Sequence, residues 1–227
     1  MKIAISGSNG LIGTELKQYL ENNGEKVTTI VRNPTQKGIL WNPENEDVNL
    51  DLLEGFDCII NLNGKKIDNL LPISNNYEIK KSRISSTKTL SVSISKLKYP
   101  PKVFLSASGF GYYGDRGNEN LTEESSPGKG FLSQLAMEWE NSATSYIPSN
   151  SNTRIILMRF GFVLSKNGGI LPRLNLISIL FHTIFVLSVF SIPINSVLSS
   201  FMFVMKFCNN VENIFLGVLF LRIFWIM

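Results

Sequence analysis

Gly7-Ser8-Asn9-Gly10-Leu11-Ile12-Gly13 spaces three glycines as Gly-x-x-Gly-x-x-Gly. It stands between a short apolar run, Ile3-Ala4-Ile5, and a segment in which Leu11, Ile12, Leu16 and Leu20 recur at helical spacing. The stretch therefore reads as strand, tight turn, amphipathic helix. Each glycine has a separate use in such a turn. The first allows the sharp bend, the second lets a pyrophosphate approach the backbone, and the third lets helix and strand pack closely. The free N–H groups and positive dipole end of the helix then face the anion. Gly24 stops the helix, and the β-branched run Lys26-Val27-Thr28-Thr29-Ile30-Val31 supplies a second strand, which completes a β-α-β unit.

Outward from this unit the pattern repeats. Gly38 to Trp41 and Cys58 to Leu62 read as strands, as do Lys102 to Ser106 after the Pro100-Pro101 break and Arg154 to Phe160. Asn76 to Lys96, with Ile79, Ile84, Leu90 and Ile94 on one side, reads as a helix, and so does Phe131 to about Tyr146. Strands alternating with helices imply an α/β fold: a Rossmann-type, doubly wound parallel sheet covered on both faces.

At the end of the second strand, where an acidic residue would accept hydrogen bonds from an adenosine ribose, the chain has Val31-Arg32-Asn33-Pro34. A guanidinium suits a ribose phosphate and a carboxylate would repel it, so Arg32 favours NADP, with NAD as the alternative. The expected cofactor site is thus Gly7, Ser8, Asn9, Gly10, Leu11, Ile12, Gly13 and Arg32. Asn61 and Gly64, at the end of a later strand on the ligand side of such a sheet, are expected to join them.

Composition narrows the class. The 227 residues are 44% hydrophobic, enough for one sizeable core, and the formal charge of +4 is scattered rather than clustered as a nucleic-acid footprint requires. Two cysteines, Cys58 and Cys208, build no disulfide framework, and the N-terminal apolar run is too short for a signal peptide, so a cytoplasmic setting is expected. His182 is the only histidine and lies in an apolar run, so no metal site is expected around it. Glu119, Glu123 and Glu124 read as a solvated loop.

Several linked motifs occur in a familiar order: Ser6 to Gly13, Asn61-Leu62-Asn63-Gly64, Ser106 to Asp115, Leu121 to Ser125, Trp139-Glu140 and Arg159 to Ser165. Together they resemble the sugar-nucleotide epimerase-like family of atypical extended short-chain dehydrogenases/reductases, within the NAD-dependent epimerase/dehydratase superfamily, over residues 1 to about 174. The resemblance implies an NAD(P)-binding Rossmann domain, a smaller C-terminal substrate domain, and epimerase or oxidoreductase chemistry by reversible hydride transfer on a nucleotide sugar or related carbinol.

In the wider superfamily, catalysis uses a serine at a strand end and a later Tyr-x-x-x-Lys on a helix. Ser108 matches the serine, whereas Leu132 and Ala136 occupy the tyrosine and lysine positions. Tyr77 to Lys81 has the spacing but belongs to the wrong helix. Tyr112 and Tyr113 are the nearest remaining proton carriers. An alternative is therefore a catalytically silent dinucleotide-binding sensor or scaffold.

Of the 40 charged residues (22 basic, 18 acidic), only Lys206, Glu212 and Arg222 lie beyond Leu174. The family's polar, Gly-rich continuation and its Trp-x-His-x-x-Asp motif are not found there. Residues 175–227 read as an out-of-frame or altered-exon segment, with a membrane anchor and a buried apolar extension as alternatives. On that reading the chain as written is expected to show little or no turnover.

Overall fold

The computed structural model describes residues 1–65, 76–165 and 167–169. The expectations for the apolar tail, His182 and Cys208 fall outside these residues. Among the described residues, no helix is long and apolar enough to cross a membrane, and no cluster of three or more metal-ligating side chains occurs.

The elements follow in the order β1 (Lys2–Ser6), α1 (Leu11–Asn22), β2 (Lys26–Val31), β3 (Ile39–Asn42), β4 (Asp47–Val48), β5 (Cys58–Asn61), α2 (Asn76–Lys96), β6 (Val103–Gly109), α3 (Phe131–Thr144) and β7 (Arg154–Phe160). Contacts group Met1–Gly161 as one compact unit and Phe162–Met227 as a second. Of the second, the described part is a short antiparallel pair, β8 (Leu164–Ser165) with β9 (Gly168–Gly169).

Seven strands form one sheet in the order β4-β3-β2-β1-β5-β6-β7. All neighbours are parallel except β3 and β4. The chain winds outward from β1 in one direction through β2 and in the other through β5. The reversal between β1 and β5 opens a crevice at their carboxyl ends, where ligands bind in sheets of this kind.

Strand alternation sends successive side chains to opposite faces and so divides the core in two. Ile3, Ile5, Cys58 and Ile60 meet Leu16 and Leu20 of α1 on one face. Ala4, Ile59 and Phe104 meet Leu90 and Ile94 of α2 and Ala143 of α3 on the other. Cys58 is part of this packing rather than a reactive thiol, since burial pushes its pKa up to about 12.

Two features lie outside the alternation of strands and helices. No helix links β2 to β3, and the two parallel strands are joined by a short loop that passes Gly38 against Thr29. A Cβ at Gly38 would stand 2.4 Å from the Thr29 carbonyl oxygen, so glycine is what lets the chain double back. The edge strand β4 is antiparallel and only two residues long, with Asp47 exposed, which leaves no periodic signal to read.

Candidate dinucleotide site

The turn after β1 is built from contacts between backbones. Gly7 has φ +75°, and a Cβ there would lie 2.7 Å from the carbonyl of Leu62, in the segment after β5. At Gly13, buried in the first turn of α1, a Cβ would lie 2.2 Å from the Gly7 carbonyl oxygen and 2.8 Å from the Ser8 Cα. Gly10 differs. Its φ of −79° suits any residue, and its Cβ would meet only the Gly7 oxygen, at 3.3 Å. Gly7 and Gly13 thus serve packing within the protein, while Gly10 keeps the outer side of the turn open for a phosphate.

Gly10 caps α1 without a side-chain hydrogen bond, and the first turn holds no acidic residue. Its helix-terminal N–H groups are therefore offered to an anion. The turn itself is fixed from behind by the Gly10 amide donating to the Gly7 carbonyl (3.0 Å) and the Thr14 hydroxyl donating to the Ser8 carbonyl (3.2 Å). Ser8 is buried and Asn9 exposed, while Leu11 and Ile12 are half-buried.

Asn61 is fully buried and acts as the hub of the crevice floor. It accepts from the Ser6 hydroxyl (2.9 Å) and donates to the Thr87 hydroxyl (2.8 Å), which also accepts from the Trp139 indole N–H (2.8 Å). Asn61 therefore ties β1, β5, α2 and α3 together beneath the glycine turn.

A cleft of about 1190 Å³ lies past the ends of β2 and β5, lined by Arg32, Pro34, Asn63, Gly64, Lys81 and Ser82 among others but by none of residues 7–13. Carboxylates line it too: Glu78 faces Lys65 (3.9 Å), Glu44 faces Lys81 (3.8 Å), and Asp47 has no ion-pair partner among the described residues. Arg32 is exposed and has no such partner among the described residues. What the site offers a pyrophosphate with a phosphorylated ribose is an open turn at Gly10 and, at the cleft, a guanidinium with no ion-pair partner among the described residues.

Arg83 of α2 was not singled out by the sequence reading. Its guanidinium lies 5.1 Å from the Trp139 ring centroid, donates to the Lys65 and Ile79 carbonyls (2.9 and 3.1 Å), and closes against Gly64, where a Cβ would stand 3.1 Å away. Burial lowers its pKa to about 10. The signal available was a basic residue on the buried side of α2.

At the carboxyl ends of β6 and β7 a second network gathers. The Ser108 hydroxyl, nearly fully buried, donates to Glu140 Oε1 of α3 (2.6 Å). Arg159 of β7 grips the same carboxylate with both Nε (2.7 Å) and Nη2 (2.8 Å), the paired side chains being 17% and 8% exposed. Arg159 Nη1 donates to the Tyr113 hydroxyl (2.9 Å) and to the Glu123 carbonyl (3.1 Å), and the guanidinium carbon sits 3.5 Å from the Tyr112 ring centroid. Hydrogen bonding to Glu140 raises the Arg159 pKa further, so the group is always charged. The structure therefore brings Ser108, Tyr112 and Tyr113 together, with Ser108 turned into the α3 interface. Leu132 is half exposed on the first turn of α3, and Ala136 is buried. Glu119 pairs with Arg116 in the loop, as a solvated carboxylate would, and Tyr77 is exposed on α2, away from β6 in sequence and element.

The segment between these strands forms a closed loop. The Gly128 amide donates to the Tyr112 carbonyl (2.9 Å), and the Ser133 hydroxyl donates to the Tyr112 and Gly128 carbonyls (2.8 and 2.9 Å). Gly114 bends at φ +64°, and a Cβ at Gly128 would fall 2.1 Å from the Tyr113 carbonyl oxygen.

Comparison with known proteins agrees with this geometry. The profile of the NAD dependent epimerase/dehydratase family matches residues 3–173. An epimerase family protein of Mycobacterium leprae is 34% identical over 177 residues, covering 76% of this chain and 56% of that protein. Among solved structures, human epimerase family protein SDR39U1 (isoform 2) with NADPH is 32% identical with a TM-score of 0.68, covering 78% of this chain and 59% of the human one. A nucleoside-diphosphate sugar epimerase from Corynebacterium glutamicum is 34% identical with a TM-score of 0.66, covering 82% of this chain and 38% of that one. The chain thus spans little more than half the length of the curated relatives it matches.

Proposed function

The chain belongs to the NAD dependent epimerase/dehydratase family, and from that premise we propose that it binds NADP and acts on a nucleotide sugar or related carbinol by reversible hydride transfer. The observation that carries the cofactor reading is an open turn at Gly10 together with Arg32, which lines the cleft past β2 and has no ion-pair partner among the described residues. The human relative in complex with NADPH supports it, and the name of the Corynebacterium protein supports a nucleoside-diphosphate sugar as substrate. The dinucleotide-binding part runs from Met1 to about Leu174 in this reading, and the buried, unpaired Cys58 suits a cytoplasmic protein.

When bound, the nicotinamide supplies or accepts the hydride; the protein supplies binding, orientation and electrostatics. Gly10 and the amides of the α1 N-terminus would hold the pyrophosphate, with Gly7 and Gly13 closing the turn behind it and Ser8, Asn9, Leu11 and Ile12 shaping it. Arg32 would hold the ribose phosphate, and Asn61 and Gly64 would support the adenosine side of the cleft.

The parent protein is expected to bind NADPH at least ten times more tightly than NADH, since a charge-assisted hydrogen bond contributes about 1.5–3 kcal/mol. Arg32→Asp removes the phosphate's partner and adds a repelling charge, so it should invert the order. Titration calorimetry with both cofactors measures this, and equal affinities in the parent would refute the assignment.

A second reading, a dinucleotide-binding sensor without turnover, is favoured by one observation: Leu132 and Ala136 carry no proton where the superfamily keeps its tyrosine and lysine. Binding of NADPH without oxidation by any of a panel of nucleotide sugars would select it.

A further inference from the structure

Building on that carbinol chemistry, we propose that Tyr113 is the proton-exchanging catalytic residue and that Arg159 is its positioning residue, a tyrosine–cation pair set on the β6 and β7 ends instead of on α3. The argument is one of hydrogen-bond direction. A guanidinium only donates, so the 2.9 Å contact from Arg159 Nη1 makes the Tyr113 oxygen an acceptor. The phenol hydrogen must then point elsewhere. No acceptor for it lies within hydrogen-bond distance among the described residues, and Tyr113 is only half-buried. A ligand oxygen can take that hydrogen.

The neighbouring groups are less suited. Ser108 has already given its hydrogen to Glu140. Tyr112 meets Arg159 through its ring face, and the hydrogens of Arg159 go to Glu140, Tyr113 and the Glu123 carbonyl rather than to the Tyr112 hydroxyl. Glu140 contributes by fixing Arg159 through two parallel hydrogen bonds, which leaves Nη1 a defined direction toward Tyr113.

The step balances. With hydride delivered to the carbonyl carbon by a dihydronicotinamide, the carbonyl oxygen takes the phenol hydrogen: the Tyr113 O–H bond breaks and a substrate O–H bond forms. The products are a carbinol, an oxidised nicotinamide and a phenolate facing Arg159. Water restores the proton, and oxidation runs the same bonds in reverse.

The test uses the full chain with 9,10-phenanthrenequinone as carbonyl probe. Calorimetry on the NADP+-loaded protein reads probe binding without turnover and decides the test by itself where the parent turns over too slowly to follow; NADPH oxidation reads the reaction. Tyr113→Phe keeps the ring and is expected to weaken the probe about tenfold, the effect of one charge-assisted hydrogen bond. It should slow NADPH oxidation about 100-fold, a typical general-acid contribution, while NADPH affinity stays within about twofold of the parent. Arg159→Lys should recover part of what Arg159→Met loses. Because Arg159→Met strands a buried carboxylate, the double variant Arg159→Met/Glu140→Gln is measured beside it. Tyr146→Phe, just beyond the C-terminal end of α3, serves as the control and should match the parent. A Tyr113→Phe protein that binds and oxidises like the parent overturns the proposal, as does a parent that binds NADPH but takes up no probe. A parent that fails to bind NADPH refutes the cofactor reading itself, and this one with it.

Discussion

Gly10→Val is expected to weaken NADPH binding at least about 100-fold while the thermal unfolding curve stays close to the parent's. The two halves of this expectation come from different sides of one residue. Toward the protein, the new Cβ meets only the Gly7 carbonyl oxygen, at 3.3 Å, and the backbone at φ −79° tolerates a side chain. A few tenths of an ångström of movement accommodates it. Toward solvent, the valine methyls stand where the pyrophosphate must touch the backbone. Holding the ligand off breaks at least two charge-assisted N–H bonds of about 1.5–3 kcal/mol each, or two to four powers of ten in affinity. Circular dichroism melting and fluorescence titration with NADPH report the two halves separately. A variant that binds like the parent moves the phosphate site elsewhere.

Gly13→Val is expected to fail in the opposite way, through the fold. Its Cβ would lie 2.2 Å from the Gly7 oxygen and 2.8 Å from the Ser8 Cα, both backbone atoms of the turn that joins β1 to α1. Neither can swing aside as a side chain would. Relief requires α1 to lift from β1, which opens the packing of Leu16 and Leu20 on Ile3 and Ile5. Overpacking costs about 1–3 kcal/mol even where side chains adjust, and more is expected against fixed backbone. Against a typical total stability of about 5–15 kcal/mol this is a large share. At about 2–4 °C per kcal/mol for a domain of this size, the midpoint should fall by about 10 °C or more. A Gly13→Val protein melting within about 2 °C of the parent would show that helix and strand are not held as closely as described.

The contrast between Gly10 and Gly13 explains what was legible in the sequence. The glycine spacing carried the fold, because three glycines at that spacing between a strand and a helix answer a local geometric demand. The strands Lys26–Val31 and Arg154–Phe160 followed from β-branched and apolar runs and the helix Asn76–Lys96 from periodicity, all local properties. What periodicity cannot report is pairing across the chain. Ser108 was singled out as a catalytic candidate, yet its hydroxyl is bonded to Glu140, 32 residues away; Arg159 joins the same carboxylate from 19 residues beyond it. A trace was nevertheless present. Glu140 interrupts the apolar stripe of α3, whose buried face includes Leu135, Ala136, Trp139 and Ala143. Arg159 interrupts the apolar strand Ile155-Ile156-Leu157-Met158. Two opposite charges, each out of place in a buried element, invite each other as partners. Strand β4 left no comparable trace.

The neck of the loop between β6 and α3 has a consequence for how such a scaffold diversifies. Its two ends are joined at Tyr112, Gly128 and Ser133 by bonds that begin and end in the neck itself. Chain closure is therefore already achieved before the intervening residues are specified, and lengthening them adds little entropic cost, about 0.6 kcal/mol per doubling. The one bond from Arg159 into the body of the loop takes a main-chain carbonyl, at Glu123, which any residue can supply. The stretch from Asp115 to Pro127 can thus be exchanged for another without disturbing the sheet beneath it. A cassette of this kind lets a lineage alter the surface at the carboxyl ends of β6 and β7 while inheriting the glycine turn intact.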